Sequence, residues 1–201
     1  MQRVHDAEFI PADYFREARR EEIFPDSSRA LEIDLGCGDG TFLLAMAKHH
    51  PERDFLGVER MPGRYEKVAR AIREQGLTNV RVLRLESSYT VGWLLPAQSV
   101  TRLHLLCPDP WPKAGHARRR MVRMEEFQRG LARVLVPGGE FLLKTDDTVY
   151  FEDAQEQFDP MPGFTRASWA IGDFFYAMTD FERHWLRLDR SIHRARWIRS
   201  A

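Results

Sequence analysis

Short apolar runs alternate with amphipathic segments along most of the chain. The apolar runs predict seven strands, at residues 30–35, 53–58, 79–85, 100–106, 140–144, 164–171 and 193–198. Helical spacing and end signals predict helices at residues 13–22, 41–49, 62–75, 124–134 and 148–158. Strands that alternate with helices are typical of a parallel sheet covered on both faces. We therefore expect an α/β fold with a mostly parallel, seven-stranded sheet and helices on both faces.

The length and composition of the chain favour one domain. It has 201 residues, of which 43% are hydrophobic and 30% charged, as in ordinary globular proteins. Residues 1–28 are predicted to be an N-terminal lead-in segment, and residues 29–201 the α/β domain. No apolar run approaches the roughly 18 residues that span a bilayer, and the N-terminus lacks an apolar signal core. We expect a cytoplasmic protein, either a monomer or a homodimer.

Charge and metal-ligand patterns narrow the possible partners. The net charge is zero, but residues 113–123 and 183–199 are two strongly basic segments. Such segments on a neutral protein predict a directional patch for nucleic acid, with scattered surface charge as the alternative. Cys37 and Cys107 form no disulfide framework, and no histidine has metal-ligand spacing, so no metal is expected.

A glycine-rich turn follows the first predicted strand, at residues 34–40 (DLGCGDG). Gly36 and Gly38 allow the backbone to turn tightly and approach a ligand at the start of a helix. Asp34 precedes them, and Glu59 ends the second strand, where a carboxylate can accept both hydrogens of a ribose diol. These features predict an adenosine-containing cofactor, and the glycine spacing favours S-adenosylmethionine over NAD. Glu86 either contacts the adenine side of that cofactor or is a solvated turn acid.

A proline-rich loop at residues 107–112 (CPDPWP) leads into three arginines at residues 118–120. Proline fixes φ and removes a donor, so this loop is predicted to be stiff. Nothing local requires a carboxylate at Asp109, and Trp111 either stacks on a base or anchors the loop. The combination indicates a site that holds a flat base beside a phosphate backbone, with Lys113 and the three arginines on the phosphates.

Together these segments resemble the bacterial tRNA (guanine-N(7)-)-methyltransferases of the TrmB type. The resemblance spans roughly residues 30–198 and implies a class I, Rossmann-like, S-adenosylmethionine-dependent methyltransferase fold. The matching segments are residues 34–40 (DLGCGDG), 55–59 (FLGVE), 108–113 (PDPWPK) with His116 and 118–120 (RRR), 144–146 (KTD) and 179–182 (TDFE).

The resemblance also implies a substrate, a cofactor and site residues. The methyl donor would be S-adenosylmethionine, and the acceptor a guanosine in the variable loop of tRNA. The cofactor ligands would be Asp34, Glu59, Glu86 and Asp109. The residues on the tRNA side would be Lys113, Asp146, Thr179, Asp180, Phe181 and Glu182. Asp109 would be the catalytic residue.

The chemistry of the acceptor fits a carboxylate. The seventh ring nitrogen of guanine has a free lone pair, so methylation needs orientation and charge stabilisation rather than proton removal. Asp109 could stabilise the purine cation, and Asp146 and Glu182 could accept hydrogens from the guanine edge. Structural alternatives remain open, since Asp146 could cap the following helix, and Thr179 and Glu182 have capping-box spacing.

Three other functions share some of these features. The first is methylation of an exocyclic amine, because residues 108–111 superficially resemble the Asp/Asn-Pro-Pro-aromatic loop of such enzymes. The second is a non-catalytic RNA-binding protein that has lost its cofactor. The third is an NAD-dependent oxidoreductase, for which no hydride-transfer residues are apparent. The intact glycine turn and Glu59 favour the methyltransferase.

Overall fold

The computed structural model describes residues 6–25 and 27–200. The strands of its sheet are β1 (Ala30–Leu35), β2 (Arg53–Val58), β3 (Val80–Leu83), β4 (Val100–Leu106), β5 (Leu135–Thr145), β6 (Phe164–Ala167) and β7 (His193–Arg199). The helices are α1 (Arg20–Ile23), α2 (Thr41–His49), α3 (Pro62–Glu74), α4 (Ser87–Tyr89, continued by a π-helical turn at Thr90–Leu94), α5 (Glu125–Val134), α6 (Thr148–Phe158) and α7 (Asp180–Arg187).

The strands form one sheet in the order β3-β2-β1-β4-β5-β7-β6. Strand β7 runs antiparallel to both of its neighbours, and the other pairings are parallel. The strand order reverses between β1 and β4, so the carboxyl ends of these strands flank a topological switch point, where ligands bind in open α/β sheets. The predicted mostly parallel, seven-stranded α/β fold is confirmed.

Apolar side chains cover much of the sheet in two clusters. One cluster packs α5 and α6 on the sheet and contains Phe127, Phe141, Phe158 and Trp197. The other contains α2 and α3 residues packed against β2 and β3. Inner strands such as β1 and β2 are buried at nearly every position, as expected for parallel strands covered on both faces.

The predicted element boundaries differ from the structure in several places. The third and sixth strands end early, at Leu83 and Ala167, and the first helix is only Arg20–Ile23. The fifth strand starts earlier than predicted, at Leu135, which already pairs with Val100 of β4. Residues 136–139 then form a bulge that contains Gly138 (φ +78°), and regular pairing resumes at Glu140. Helix α7 and the 87–94 helical turn were missed because neither has a long apolar repeat.

The N-terminal segment is more than a polar lead-in. Ala7, Phe9 and Ile23 are buried, and the backbone around Glu8 pairs with Val82 along the outer edge of β3. This part of the chain therefore contributes to the core, while the domain boundary at residues 28–29 stays a prediction. Within residues 6–25 and 27–200, no helix is long and apolar enough to cross a membrane.

Candidate active site

A cavity of about 710 Å³ opens at the carboxyl ends of β1, β2 and β4, a volume typical of small-molecule sites. It brings together residues that are far apart in the sequence. Among its lining residues are nine of the predicted site residues: Asp34, Gly36, Gly38, Glu59, Glu86, Asp109, Thr179, Asp180 and Phe181. Lys113, Asp146 and Glu182 lie outside this lining.

The glycine turn forms one wall of the cavity. Gly36 and Gly38 have φ values of +68° and +59°, which most residues with a Cβ adopt only with strain. A Cβ built at either position would meet no atom within 4 Å, so both glycines present bare backbone to open space. A ligand can therefore approach this backbone closely at the start of α2.

Two carboxylates stand behind the glycine turn. Glu59 accepts hydrogen bonds from the backbone N–H groups of Gly38 (3.1 Å) and Met61 (2.8 Å), which fix its orientation. Because each carboxylate oxygen has more than one acceptor site, Glu59 can still accept hydroxyl hydrogens from a ligand. Asp34 is buried at the end of β1, and burial, together with the charge of Glu59, raises its pKa to about 7.

Glu86 lies at the cavity and also caps a short helix. Its side chain lines the cavity. It also caps α4 by accepting hydrogen bonds from the backbone N–H of Tyr89 (2.8 Å) and the hydroxyl of Ser88 (2.7 Å). The cap holds the carboxylate in place at the cavity rim.

Backbone strain brackets Asp109 in the proline-rich loop. Cys107 (φ +48°) and Trp111 (φ +45°) both adopt the left-handed conformation, which is uncommon for residues other than glycine. Between them the Asp109 side chain is 76% exposed, and Arg60 lies 4.0 Å away on the other side of the cavity mouth. The carboxylate is thus presented on a rigid loop and is accessible to a ligand.

Arg120 holds this loop and does not bind phosphate as predicted. It is buried, it forms an ion pair with Asp153 of α6, and its guanidinium donates to the carbonyls of Pro110 (2.7 Å) and Trp111 (3.4 Å). The phosphate role predicted for Arg120 is therefore wrong, because its guanidinium is buried and already bound to protein groups. Its neighbour Arg119 is exposed and lies 5.1 Å from the Trp111 ring.

The start of α7 forms the opposite wall of the cavity. Thr179 caps this helix by accepting from the backbone N–H of Glu182 (2.9 Å) and also lines the cavity, while its predicted contact with tRNA stays a prediction. Asp180 accepts a hydrogen bond from Thr41 (2.6 Å) at the start of α2. The carboxylate of Glu182 is buried against Lys144 (2.8 and 2.9 Å), which fixes α7 on β5.

The comparisons with known proteins match this geometry. A family model described as "Putative methyltransferase" matches residues 28–195. The chain is 39% identical to the tRNA (guanine-N(7)-)-methyltransferase of Leifsonia xyli, covering 80% of this chain and 72% of that protein. It is 35% identical to the enzyme of the same name from Chlorobium phaeobacteroides, covering 85% and 81%. The chain belongs to the tRNA (guanine-N(7)-)-methyltransferase family, of the TrmB type.

Solved structures agree on the fold. An aminoglycoside resistance methyltransferase, NpmB1, matches with a TM-score of 0.59 and 20% identity, covering 87% of this chain and 89% of that one. An rRNA methylase from Streptococcus thermophilus matches with a TM-score of 0.58 and 9% identity, with the same coverage. The sheet is that of class I methyltransferases.

The cavity residues fit S-adenosylmethionine, the cofactor of this family. The bare backbone of Gly36 and Gly38 leaves room for a ligand against the turn. Glu59 ends β2, where its carboxylate can hold the ribose hydroxyls. The buried Asp34 carboxyl suits a cationic group, since a positive charge beside it would favour its ionised form.

The two basic segments differ in what their charges contact. Within the described part of the chain, the carboxyl-terminal segment uses much of its charge internally, in ion pairs of Arg183 with Asp180, Arg190 with Asp146, and Arg196 with Glu140.

Arg60 and Arg64 were missed by the sequence analysis and line the cavity. The sequence feature that could have predicted them is their position on either side of Pro62, at the start of the helix that follows Glu59.

The raised pKa of Asp34 predicts a pH-dependent stability. Its folded pKa of about 7 lies above the unfolded value of about 3.9, so ionisation is disfavoured in the fold. Stability should therefore fall as pH rises between these values, and Asp34→Asn should remove about 2 kcal/mol of the loss between pH 5 and pH 8. Urea denaturation of both proteins at the two pH values tests this. Parallel pH curves for wild type and variant would contradict it.

Proposed function

We propose that this protein transfers the methyl group of S-adenosylmethionine to the seventh ring nitrogen of a guanosine in the variable loop of tRNA. The observation that carries the proposal is the exposed Asp109 carboxylate, which a strained and clamped loop presents to the cavity formed by the glycine turn. Family membership supports the same reaction. We also propose the cytoplasm as its location, since a tRNA substrate is available there.

The residues divide the work of the reaction. S-adenosylmethionine, when bound, supplies a methyl group activated by a sulfonium. Glu59 and Asp34 would hold the ribose and the cationic end of the cofactor, and the backbone of the glycine turn would lie against it. Thr179, Asp180 and Phe181 would form the wall against which the guanosine rests. These contacts orient the reactants, which is the main requirement when the nucleophile carries no proton.

Asp109 would supply the electrostatic part of catalysis. Methylation of this ring nitrogen leaves a positive charge on the purine, and a nearby carboxylate stabilises that charge as it develops. As an acceptor, Asp109 can also take a hydrogen bond from a ring N–H or the amino group of guanine. The strained backbone at Cys107 and Trp111 and the clamp from Arg120 keep the carboxylate oriented before the substrate arrives.

A methylation assay tests the proposed reaction. The protein is incubated with S-adenosylmethionine and an unmodified tRNA transcript, and the nucleosides are analysed by mass spectrometry. The proposal expects 7-methylguanosine at one site in the variable loop. If the product is instead a neutral N-methylated amine, the proposed reaction is wrong and the enzyme methylates an exocyclic amine. Binding of cofactor without any transfer to tRNA would overturn the substrate.

Charge reversal at Arg119 should weaken tRNA binding much more than cofactor binding. Arg119 is exposed beside Trp111, so it is free to contact phosphate, unlike the buried Arg120. A plot of the logarithm of the tRNA binding constant against the logarithm of salt concentration has a negative slope. Each lost phosphate contact should reduce the magnitude of that slope by about 1. Filter binding of tRNA across salt concentrations measures this for Arg119→Glu. Arg70→Glu, an exposed arginine outside the cavity lining, is the matched control. Equal losses in both variants would mean a general charge effect.

A further inference from the structure

One face of the central sheet carries charged and polar groups where an apolar face would be usual. Register pairs Glu32 of β1 with Arg102 of β4, and Arg102 with Glu140 of β5. His104 lies two residues after Arg102, on the same face, and Lys144 ends this row on β5. Glu32, His104 and Lys144 are buried. Phe42 of α2 packs on the His104 ring, but the charged groups around it need a further cover.

The cover is residues 168–179, here called the strap, which connect β6 to α7 without forming a helix or a strand. Its aromatic rings lie over the cations of the sheet. The Lys144 ammonium lies 4.7 Å from the Tyr176 ring and 5.6 Å from the Trp169 ring, and the Arg102 guanidinium lies 4.7 Å from the Phe174 ring. Contacts of this kind attract a cation to the face of an aromatic ring.

A chain of buried hydrogen bonds anchors the strap. The Tyr176 hydroxyl lies 2.7 Å from Nδ1 of His104, and Nε2 of His104 lies 2.9 Å from a carboxylate oxygen of Glu32. The other oxygen of Glu32 accepts from Arg53. Burial lowers the pKa of His104, which favours the neutral ring. A carboxylate only accepts, so Nε2 carries the proton and donates to Glu32, and Nδ1 accepts from the Tyr176 hydroxyl.

The strap leads directly into the cavity wall. Tyr176 lies three residues before Thr179, and Thr179, Asp180 and Phe181 line the cavity. Beyond the strap, the wall is held by the hydrogen bond from Thr41 to Asp180 and by the Lys144–Glu182 ion pair. The strap and these two contacts together set where the three residues stand relative to the glycine turn.

We propose that Tyr176 is a positioning residue, whose hydrogen bond to the His104–Glu32 pair holds the strap on the sheet and thereby aligns the wall that receives the guanosine. The inference rests on the proposed function, because the guanosine is the ligand that this wall would meet. Tyr176 acts through the strap on substrate binding. Glu59 and Glu86 lie on other elements, and Asp34, although it is the register partner of His104, is held by its own strand β1, so the cofactor residues do not move with the strap.

The partly polar nature of the covered face makes the strap easier to detach than a segment that covers a wholly apolar face. Lifting a segment from an apolar face exposes that face to water at a cost proportional to its area. Lifting the strap exposes some apolar surface, because Tyr176 and Ala177 also pack on the apolar cluster that contains Phe42, but it also exposes charged and polar groups that water solvates well. The closed position therefore depends on a few directional contacts, and loss of one hydrogen bond shifts the balance measurably.

Tyr176→Phe tests the proposal because it removes one hydroxyl and keeps the ring. Chymotrypsin cleavage within the strap, at the partly buried Trp169 and Phe174, should become about three- to tenfold faster, since cleavage follows the open population. The KM for tRNA should rise about threefold, because tRNA binds only the fraction with an aligned wall. The kcat, the Kd for S-adenosylmethionine and the melting temperature should stay near their wild-type values.

Two further variants keep the test decisive. Tyr89→Phe is the matched control, since the Tyr89 hydroxyl donates to the carbonyl of Tyr14 (2.6 Å) away from the strap, and it should change neither measurement. His104→Gln should reproduce the Tyr176→Phe effects, and the double variant should add little, because both residues belong to one chain of hydrogen bonds. Unchanged cleavage and KM in Tyr176→Phe, or fully additive effects, would overturn the proposal.

The cleavage measurement needs no tRNA, so it separates this inference from the proposed function. Faster cleavage in Tyr176→Phe, with a wild-type protein that does not methylate tRNA, would uphold the anchor and reject the substrate. A lower melting temperature with an unchanged KM would mean that Tyr176 only stabilises the fold, and the positioning role would then be wrong.

Discussion

Replacing Asp109 with alanine is expected to lower the kcat of tRNA methylation by about 10²–10³-fold, the usual cost of removing one preorganised electrostatic group from an active site. The carboxylate faces the cavity on a strained loop, and among the described residues of that loop that line the cavity it is the one ionisable carboxylate. The side chain is 76% exposed, so the free energy of unfolding should change by less than about 0.5 kcal/mol. Single-turnover methylation with saturating cofactor measures the effect on chemistry.

Asp109→Asn separates charge from hydrogen bonding. The amide keeps one acceptor oxygen and nearly the same shape, but it carries no negative charge to stabilise the purine cation. If charge is the main contribution, the asparagine and alanine variants should lose similar amounts of kcat. If the hydrogen bond to guanine dominates, the asparagine variant should retain most of the activity. An alanine variant that methylates at nearly the wild-type rate would exclude Asp109 from catalysis.

The parts of the site that could be predicted from the sequence depend on short-range signals. Gly36 and Gly38 lie where a strand turns into a helix, and that local pattern predicted the turn. The end of the next strand in turn predicted the acid Glu59 as a cofactor ligand. Parallel strands also bring their carboxyl ends together in any sheet of this type, so the shared cavity followed from the strand order. The proline-rich loop was recognised for a similar reason, because proline restricts the backbone locally.

The parts that could not be predicted depend on contacts between distant elements. Arg119 and Arg120 are identical in sequence terms, yet one is exposed and the other is buried against Asp153 of α6. Glu182 was predicted to contact guanine, but its partner is Lys144 on β5. Asp147, and not Asp146, caps α6. Each outcome depends on which face of a turn contacts a neighbouring element, and the local sequence pattern does not predict that contact.

The second large effect is expected at Arg120. Arg120→Ala should lower the free energy of unfolding by about 3–5 kcal/mol, because it leaves the buried Asp153 carboxylate with only part of its compensation. Arg123 still pairs with Asp153, but Arg123 is itself shared with Glu156. The same substitution removes the donors to the carbonyls of Pro110 and Trp111, so the loop that carries Asp109 should lose its orientation. Urea denaturation measures the first effect and kcat the second.

Its neighbour in the sequence provides the matched control. Arg119→Ala should change the free energy of unfolding by less than about 0.5 kcal/mol and should weaken tRNA binding, since that side chain is exposed. Arg120→Lys separates the two roles of Arg120, because lysine can keep a charge near Asp153 but lacks the fork that also reaches the loop carbonyls. We expect Arg120→Lys to recover more stability than kcat. A stable Arg120→Ala variant with weakened tRNA affinity would instead make Arg120 a phosphate contact, and the clamp on the Asp109 loop would be wrong.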